Sequence, residues 1–187
     1  MKTMKIFIAF IILFTVCVSA SAQEKDLKKH PGYIDLKQIR IPDHTSEVTD
    51  IDLGPALLAL ARLGVNEDED FGKGLAGILS IRVKSYEIEY GDAREIRPTM
   101  DKLEKKLEQD GWMRLVRTKT REEMTNISMK VVDGKVVGFF LMSINGDEVS
   151  FINVFGGNID LNSIKNIGMG LSGSALDSLG KSLKHRF

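Results

Sequence analysis

The strongest constraint in this chain is a pair of turn dipeptides, Asp133-Gly134 and Asn145-Gly146, each set between apolar runs. Such dipeptides supply the positive φ that a tight hairpin needs, so the flanking runs read as antiparallel neighbours. They separate three strands, Thr125 to Val132, Val136 to Ile144 and Val149 to Phe155, and Trp112 to Thr118 supplies a fourth just before them. The middle run is apolar at almost every position, which marks a central strand covered on both faces.

Helices must provide that cover. Between Arg94 and Gln109 the residues Ile96, Met100, Leu103 and Leu107 recur at helical spacing, with Pro98 in the tolerated first turn and Asp110-Gly111 as the stop. Gly54 and Pro55 open a shorter run, Ala56 to Leu63, closed by Gly64. This run is apolar on most faces, so it is expected to be buried. Asp160 can cap a third helix from Leu161 to about Lys184, with Ile164, Ile167, Leu171, Ala175 and Leu179 along one side. Its glycines Gly168, Gly170 and Gly173 each cost about 1 kcal/mol relative to alanine, so a break is expected there.

Three further stretches complete the pass. Tyr33 to Ile41 reads as a strand or extended arm ended by Pro42, and the polar stretch His44 to Asp52 as a loop. Asn66 to Asp70 with the following Gly72, Gly74 and Gly77 reads as a second loop. Leu79, Ile81 and Val83 alternate with Ser80, Arg82 and Lys84, and after Ser85 the apolar phase moves to Tyr86, Ile88 and Tyr90, so a bulge or bend is expected at that point. The order predicts an α+β fold: a two-layer sandwich, mainly antiparallel sheet with a C-terminal β-meander and helices packed on one face.

The N-terminus sets the compartment. Lys2 and Lys5, an apolar run from Ile6 to Val18, and Ser19-Ala20-Ser21-Ala22 follow the order of a cleavable secretion signal, with cleavage expected between Ala22 and Gln23. The run is short for a transmembrane helix, which needs roughly 20 apolar residues. Residues 1–22 are thus a signal peptide, 23–31 a flexible leader and 32–187 a single domain, and the mature chain is expected in the periplasm or outside the cell with no transmembrane segment. The single cysteine, Cys17, lies inside the signal behind Phe14, Thr15 and Val16, a poor lipidation context, so disulfides and thiol chemistry are excluded from the mature chain. The 26 basic and 26 acidic residues balance, and loss of Lys2 and Lys5 leaves a slightly acidic protein. That argues against a nucleic-acid partner, which calls for a concentrated basic footprint.

No motif carries chemistry in its proper context. The strings Gly72 to Gly77 and Gly168 to Gly173 have dinucleotide-type spacing, but one precedes a strand and the other lies inside an expected helix. The acidic run Glu67 to Asp70 lacks calcium-loop spacing. His30, His44 and His185 are scattered, and Ser172 stands in a sequence one residue short of a nucleophile elbow. Trp112, Phe139, Phe140, Phe151 and Phe155 could line a ligand pocket, although aromatics on strands are more often core. Arg114, Arg117 and Lys119 could form a cationic edge or protect an outer strand.

Several segments together resemble the exported bacterial family filed as domain of unknown function 4252. They are His30-Pro31-Gly32-Tyr33-Ile34-Asp35-Leu36, Gly54-Pro55-Ala56-Leu57-Leu58, Ile81-Arg82-Val83, Leu107-Glu108-Gln109-Asp110-Gly111-Trp112 and Gly156-Gly157-Asn158-Ile159-Asp160-Leu161. The resemblance implies an envelope or secreted setting and supplies no catalytic residues. The expected function is therefore a non-enzymatic binding module of the cell envelope, without catalytic, cofactor or metal residues, whose partner is another envelope protein. Two alternatives stay open: an enzyme with a dispersed Asp/Glu site, and a carrier of a small apolar ligand.

Overall fold

The computed structural model describes residues 26–63, 75, 77–89 and 93–159. Six strands form one fully antiparallel sheet: β1 (Thr45–Leu53), β2 (Ile78–Ile88), β3 (Trp112–Lys119), β4 (Glu123–Val132), β5 (Lys135–Asn145) and β6 (Glu148–Gly156). Their spatial order is β1-β2-β6-β5-β4-β3. The helices α1 (Pro55–Leu63) and α2 (Arg97–Gln109) of the described residues accompany them. The chain is thus an α+β sandwich whose C-terminal strands form the expected meander. No helix of the described residues is long and apolar enough to cross a membrane.

The turn dipeptides work in two different ways. Val132 pairs with Lys135, which leaves Asp133 and Gly134 as a two-residue loop in which both φ values are positive, 51° and 73°. In the second hairpin Asn145 still pairs with Glu148, so the loop is Gly146-Asp147 and among these Gly146 alone takes a positive φ, 64°. Both patterns twist the strands in the sense a hairpin favours. The meander places β5 centrally, and it is buried from Val137 to Ile144.

Three expectations need correction, and one that stood open is decided. The polar stretch after His44 is an edge strand, β1, paired from Thr45↔Ile88 to Leu53↔Ile81. An edge strand whose side chains face water has no apolar alternation to reveal it. Of the two readings of Tyr33 to Ile41 the arm is the one that holds: it crosses the sheet as an irregular segment with a 3-10 turn at Leu36–Gln38, and Leu36 and Ile39 are its buried contacts. The irregularity expected at Ser85 lies in the neighbouring strand, where Glu47 adds one residue to β1 at a φ of 48°. β2 itself stays in register with β6 from Ser80 to Glu87, and its apolar phase shifts because Arg82 and Lys84 are buried on the face they share with Tyr86 and Ile88. Finally, α1 is not enclosed. Leu58 is buried and Ala61 packs beside it, whereas Leu57, Leu60 and Leu63 are 52%, 64% and 85% exposed.

The sheet carries an apolar layer on each face. One unites the arm's Leu36 and Ile39 with Met100 and Leu107 of α2 and with Trp112, Phe140 and Phe151 from the strands. On the other, Leu58 joins Leu75, Ile81, Phe139, Leu141 and Ile159. The short helix α1 therefore sits on the face opposite α2, a departure from the expectation that the helices share one side. The expected helix after Asp160 lies outside the described residues.

Candidate functional site: a groove between the arm and α2

The arm is laid directly on the central strands. Gly32 and Gly138 meet so closely that a Cβ on Gly138 would stand 2.8 Å from the Gly32 Cα. An irregular segment cannot satisfy its own backbone, so its polar groups need partners from elsewhere. Buried polar side chains of β2 and β6 provide them. The Ile34 N–H donates to Asn153 Oδ1 at 3.0 Å, and Asn153 Nδ2 donates to the Gly32 and Phe139 carbonyls at 3.0 and 3.2 Å. Arg82 donates to the Ile34 carbonyl at 2.8 Å and to Asp52 at 3.0 Å, and its guanidinium lies 4.8 Å from the centre of the Tyr33 ring. Lys84 Nζ donates to the Leu36 and Ile39 carbonyls at 3.2 and 3.3 Å. Asp35 caps the turn by accepting from the Lys37 N–H and from Gln38 Nε2.

Opposite the arm stands α2. Thr99, Lys102, Leu103, Lys106 and Leu107 recur at three- and four-residue intervals, so they share one side of the helix. Between the two walls lies a groove of about 570 Å³. Ile34, Ile39, Leu103, Leu107 and Trp112 give it an apolar lining, and Lys28, Lys102, Lys106, Asp35 and Asp110 bring charge. Among the described lining residues there is no histidine, serine or cysteine. Such a space can hold an apolar body and pair with an acidic group.

Of the aromatics singled out in the sequence, Trp112 alone reaches the groove; Phe140 and Phe151 stack in the core at 6.5 Å, and Phe155 supports the arm through Tyr33 and His30. Burial against Phe155 lowers the His30 pKa, opposed by a backbone hydrogen bond at Gly156. His44 stands elsewhere, 4.0 Å from Glu95.

The candidate cationic edge is neutralised from within. Arg114 pairs with Glu104 at 2.5 Å and Glu108 at 3.4 Å, Arg117 with Asp101 at 3.2 Å and Glu104 at 3.4 Å, and Lys119 with Asp101 at 3.7 Å. Arg114 and Arg117 are three residues apart and would point to opposite faces of a regular strand. Leu115 is an extra residue between the pairs Arg114↔Ser128 and Val116↔Ile127, and it brings both arginines onto the α2 side. The Glu104 carboxylate between them is 5% exposed.

Carboxylates gather at the other end of the sheet. Glu87 stands opposite Glu148, and the charge of Glu47 first, then slight burial and the charges of Asp147 and Glu148, raises its pKa. This group is remote from the groove lining. Ala22, Gln23, the Glu67 to Asp70 run, Gly72, Gly168 to Gly173, Ser172 and His185 all lie outside the described residues. Sequence reasoning missed the groove because its walls are distant in the chain; the Leu103 and Leu107 stripe beside Lys102 and Lys106 was the one local sign.

No curated protein and no solved structure matches the chain in comparison. A family model described as Domain of unknown function (DUF4252) matches residues 43–167. The match begins beyond the arm, so α2 and Trp112 fall within it and the other wall of the groove does not. On that match, the chain belongs to the DUF4252 family.

Proposed function

We propose that this chain is an exported binding module of the bacterial cell envelope, and that the groove between the arm and α2 receives an acidic, apolar-bodied segment of another envelope protein. The observation that carries the reading is the meeting of an apolar lining, Leu103, Leu107 and Trp112, with Lys102 and Lys106 on the same helix. A volume of about 570 Å³ falls within the range of specific pockets, about 300–1,000 Å³. Export is supported by the signal-like order of residues 1–22, and N-terminal sequencing of the exported protein should begin at Gln23.

The test places a photocrosslinking side chain at Leu103 in living cells. A discrete adduct with one envelope protein is expected, and Lys102→Glu with Lys106→Glu should abolish it while leaving the melting temperature unchanged, because both lysines are exposed. An adduct indifferent to the charge reversal would overturn the reading. The groove volume also suits a small apolar ligand, and recovery of one by solvent extraction of the purified protein would favour the carrier over the protein-binding module.

A further inference from the structure

The N-terminal end of the arm is held to the sheet through one imidazole. His30 lies tilted on Phe155 of β6 with ring centroids 5.1 Å apart, and Phe155 in turn meets Tyr33 edge-on at 5.7 Å. The Gly32 N–H donates to His30 Nδ1 at 3.1 Å. A neutral imidazole has one nitrogen that accepts and one that donates, so the ring's single proton sits on Nε2, the nitrogen left for the backbone hydrogen bond at Gly156. The bond to Gly32 therefore exists only while the ring is neutral.

A solvent proton added at Nδ1 turns that acceptor into a donor aimed at another donor. The backbone has no room to adjust in place. A Cβ on Gly32 would stand 2.3 Å from the Val137 carbonyl oxygen and 2.9 Å from Phe155 Cβ, so the segment can part from the ring only by lifting off the strands. The charged and titratable groups around His30 do not offset this conflict. Its own turn carries Asp26, Lys28 and Lys29, of which Lys29 pairs with Asp26 at 3.0 Å. The arm adds Tyr33 and Asp35, the latter occupied in capping the Leu36–Gln38 turn. Arg82 on β2 lies over the Tyr33 ring and is bound to Asp52 and to the Ile34 carbonyl. From β6 and β5 the neighbours are Phe155, Gly156, Val137 and Gly138, which bear no charge. Burial leads the lowering of the His30 pKa and the Gly156 bond opposes it. The latch therefore contributes fully above the ordinary histidine value of about 6.5 and is lost as pH falls through the lower folded value.

We propose that His30 is an acid-sensitive latch: neutral, it holds the N-terminal end of the arm on β6, and protonated at Nδ1 it releases that end, drawing Lys28 and Tyr33 away from the groove they line. That this regulates binding rests on the groove being the binding site; the latch itself is read without a partner, so either can fail alone. With the purified full chain, pH is lowered from about 7.5 to about 5, across the ordinary histidine range, while the emission of Trp112 and the NMR signals of the His30 ring and the Gly32 amide are followed. The amide should titrate with the midpoint of the ring, and the emission should shift to the red over the same range as Tyr33 leaves the groove that Trp112 also lines. His30→Gln, whose amide accepts and donates without titrating, should keep the neutral-pH emission throughout, and His44→Gln should titrate like the natural chain. A Gly32 amide indifferent to the ring's titration, an emission that does not move, or a red shift that persists in His30→Gln would each overturn the proposal.

Discussion

The two faces of the sheet hold their covers by different physics. On the groove face an irregular arm is fixed by buried polar side chains, Arg82, Lys84 and Asn153, which serve its backbone groups. On the other face α1 satisfies its own backbone and adds apolar contacts through Leu58 and Ala61, with Arg62 tying it to the Leu75 and Ile78 carbonyls at 2.8 and 2.6 Å. A helix can dock by apolar burial alone, whereas an irregular segment requires polar partners inside the core. The buried charges on β2 are thus the counterpart of the arm's lack of regular structure.

Breaking the polar side of this comparison should have the largest effect. Asn153 is fully buried and makes three hydrogen bonds, so Asn153→Ala should cost about 4 kcal/mol in denaturant unfolding through lost bonds and stranded backbone groups. It should also shift the emission of Trp112, the single tryptophan, to the red as the arm loosens beside it. Leu58→Ala attacks the apolar side and should cost about 2 kcal/mol, the low end for a buried leucine because α1 is otherwise exposed. Its tryptophan emission should stay at the native position; a red shift would show that the faces are coupled.

Smaller effects sharpen the contrast. Tyr86 is buried on the groove face with its hydroxyl unpartnered, and burial pushes its pKa up to about 12. Tyr86→Phe should therefore stabilise the protein by about 1 kcal/mol, measured as a raised denaturant midpoint. Glu87 lies outside both layers and should respond to pH alone. Its pKa is raised in the folded state, so the repulsion from Glu47, Asp147 and Glu148 sets in as pH rises through that pKa. Glu87→Gln should raise the melting temperature slightly at neutral pH and leave it unchanged in acid, where the carboxyl is already protonated.

The meander was legible because Asp133-Gly134 and the Gly146 turn impose backbone geometry locally, and α2 because Met100 and Leu107 repeat on a helical period. The edge strand β1 escaped because its residues face water and carry no pattern. The face of β2 was obscured by Arg82 and Lys84, which look solvent-facing in sequence and are 6% and 7% exposed in the fold. Their burial follows from the carbonyls of a segment more than forty residues earlier, which no local window contains. The groove was hidden for the same reason, since Tyr33 to Ile39 and Thr99 to Trp112 are far apart in the chain and come together only in the fold.

The arm's anchors also impose an order on assembly. Its bonds to Asn153 span 119 and 121 residues of chain. Contacts so distant form late, because the entropy of closing the intervening loop must be overcome first. A ribosome, building the chain from its N-terminus, releases Gly32 and Ile34 long before their partner on β6. The earliest segment of the fold to emerge is among the last to be fixed, and until Asn153 arrives its apolar residues stay accessible to whatever escorts the growing chain.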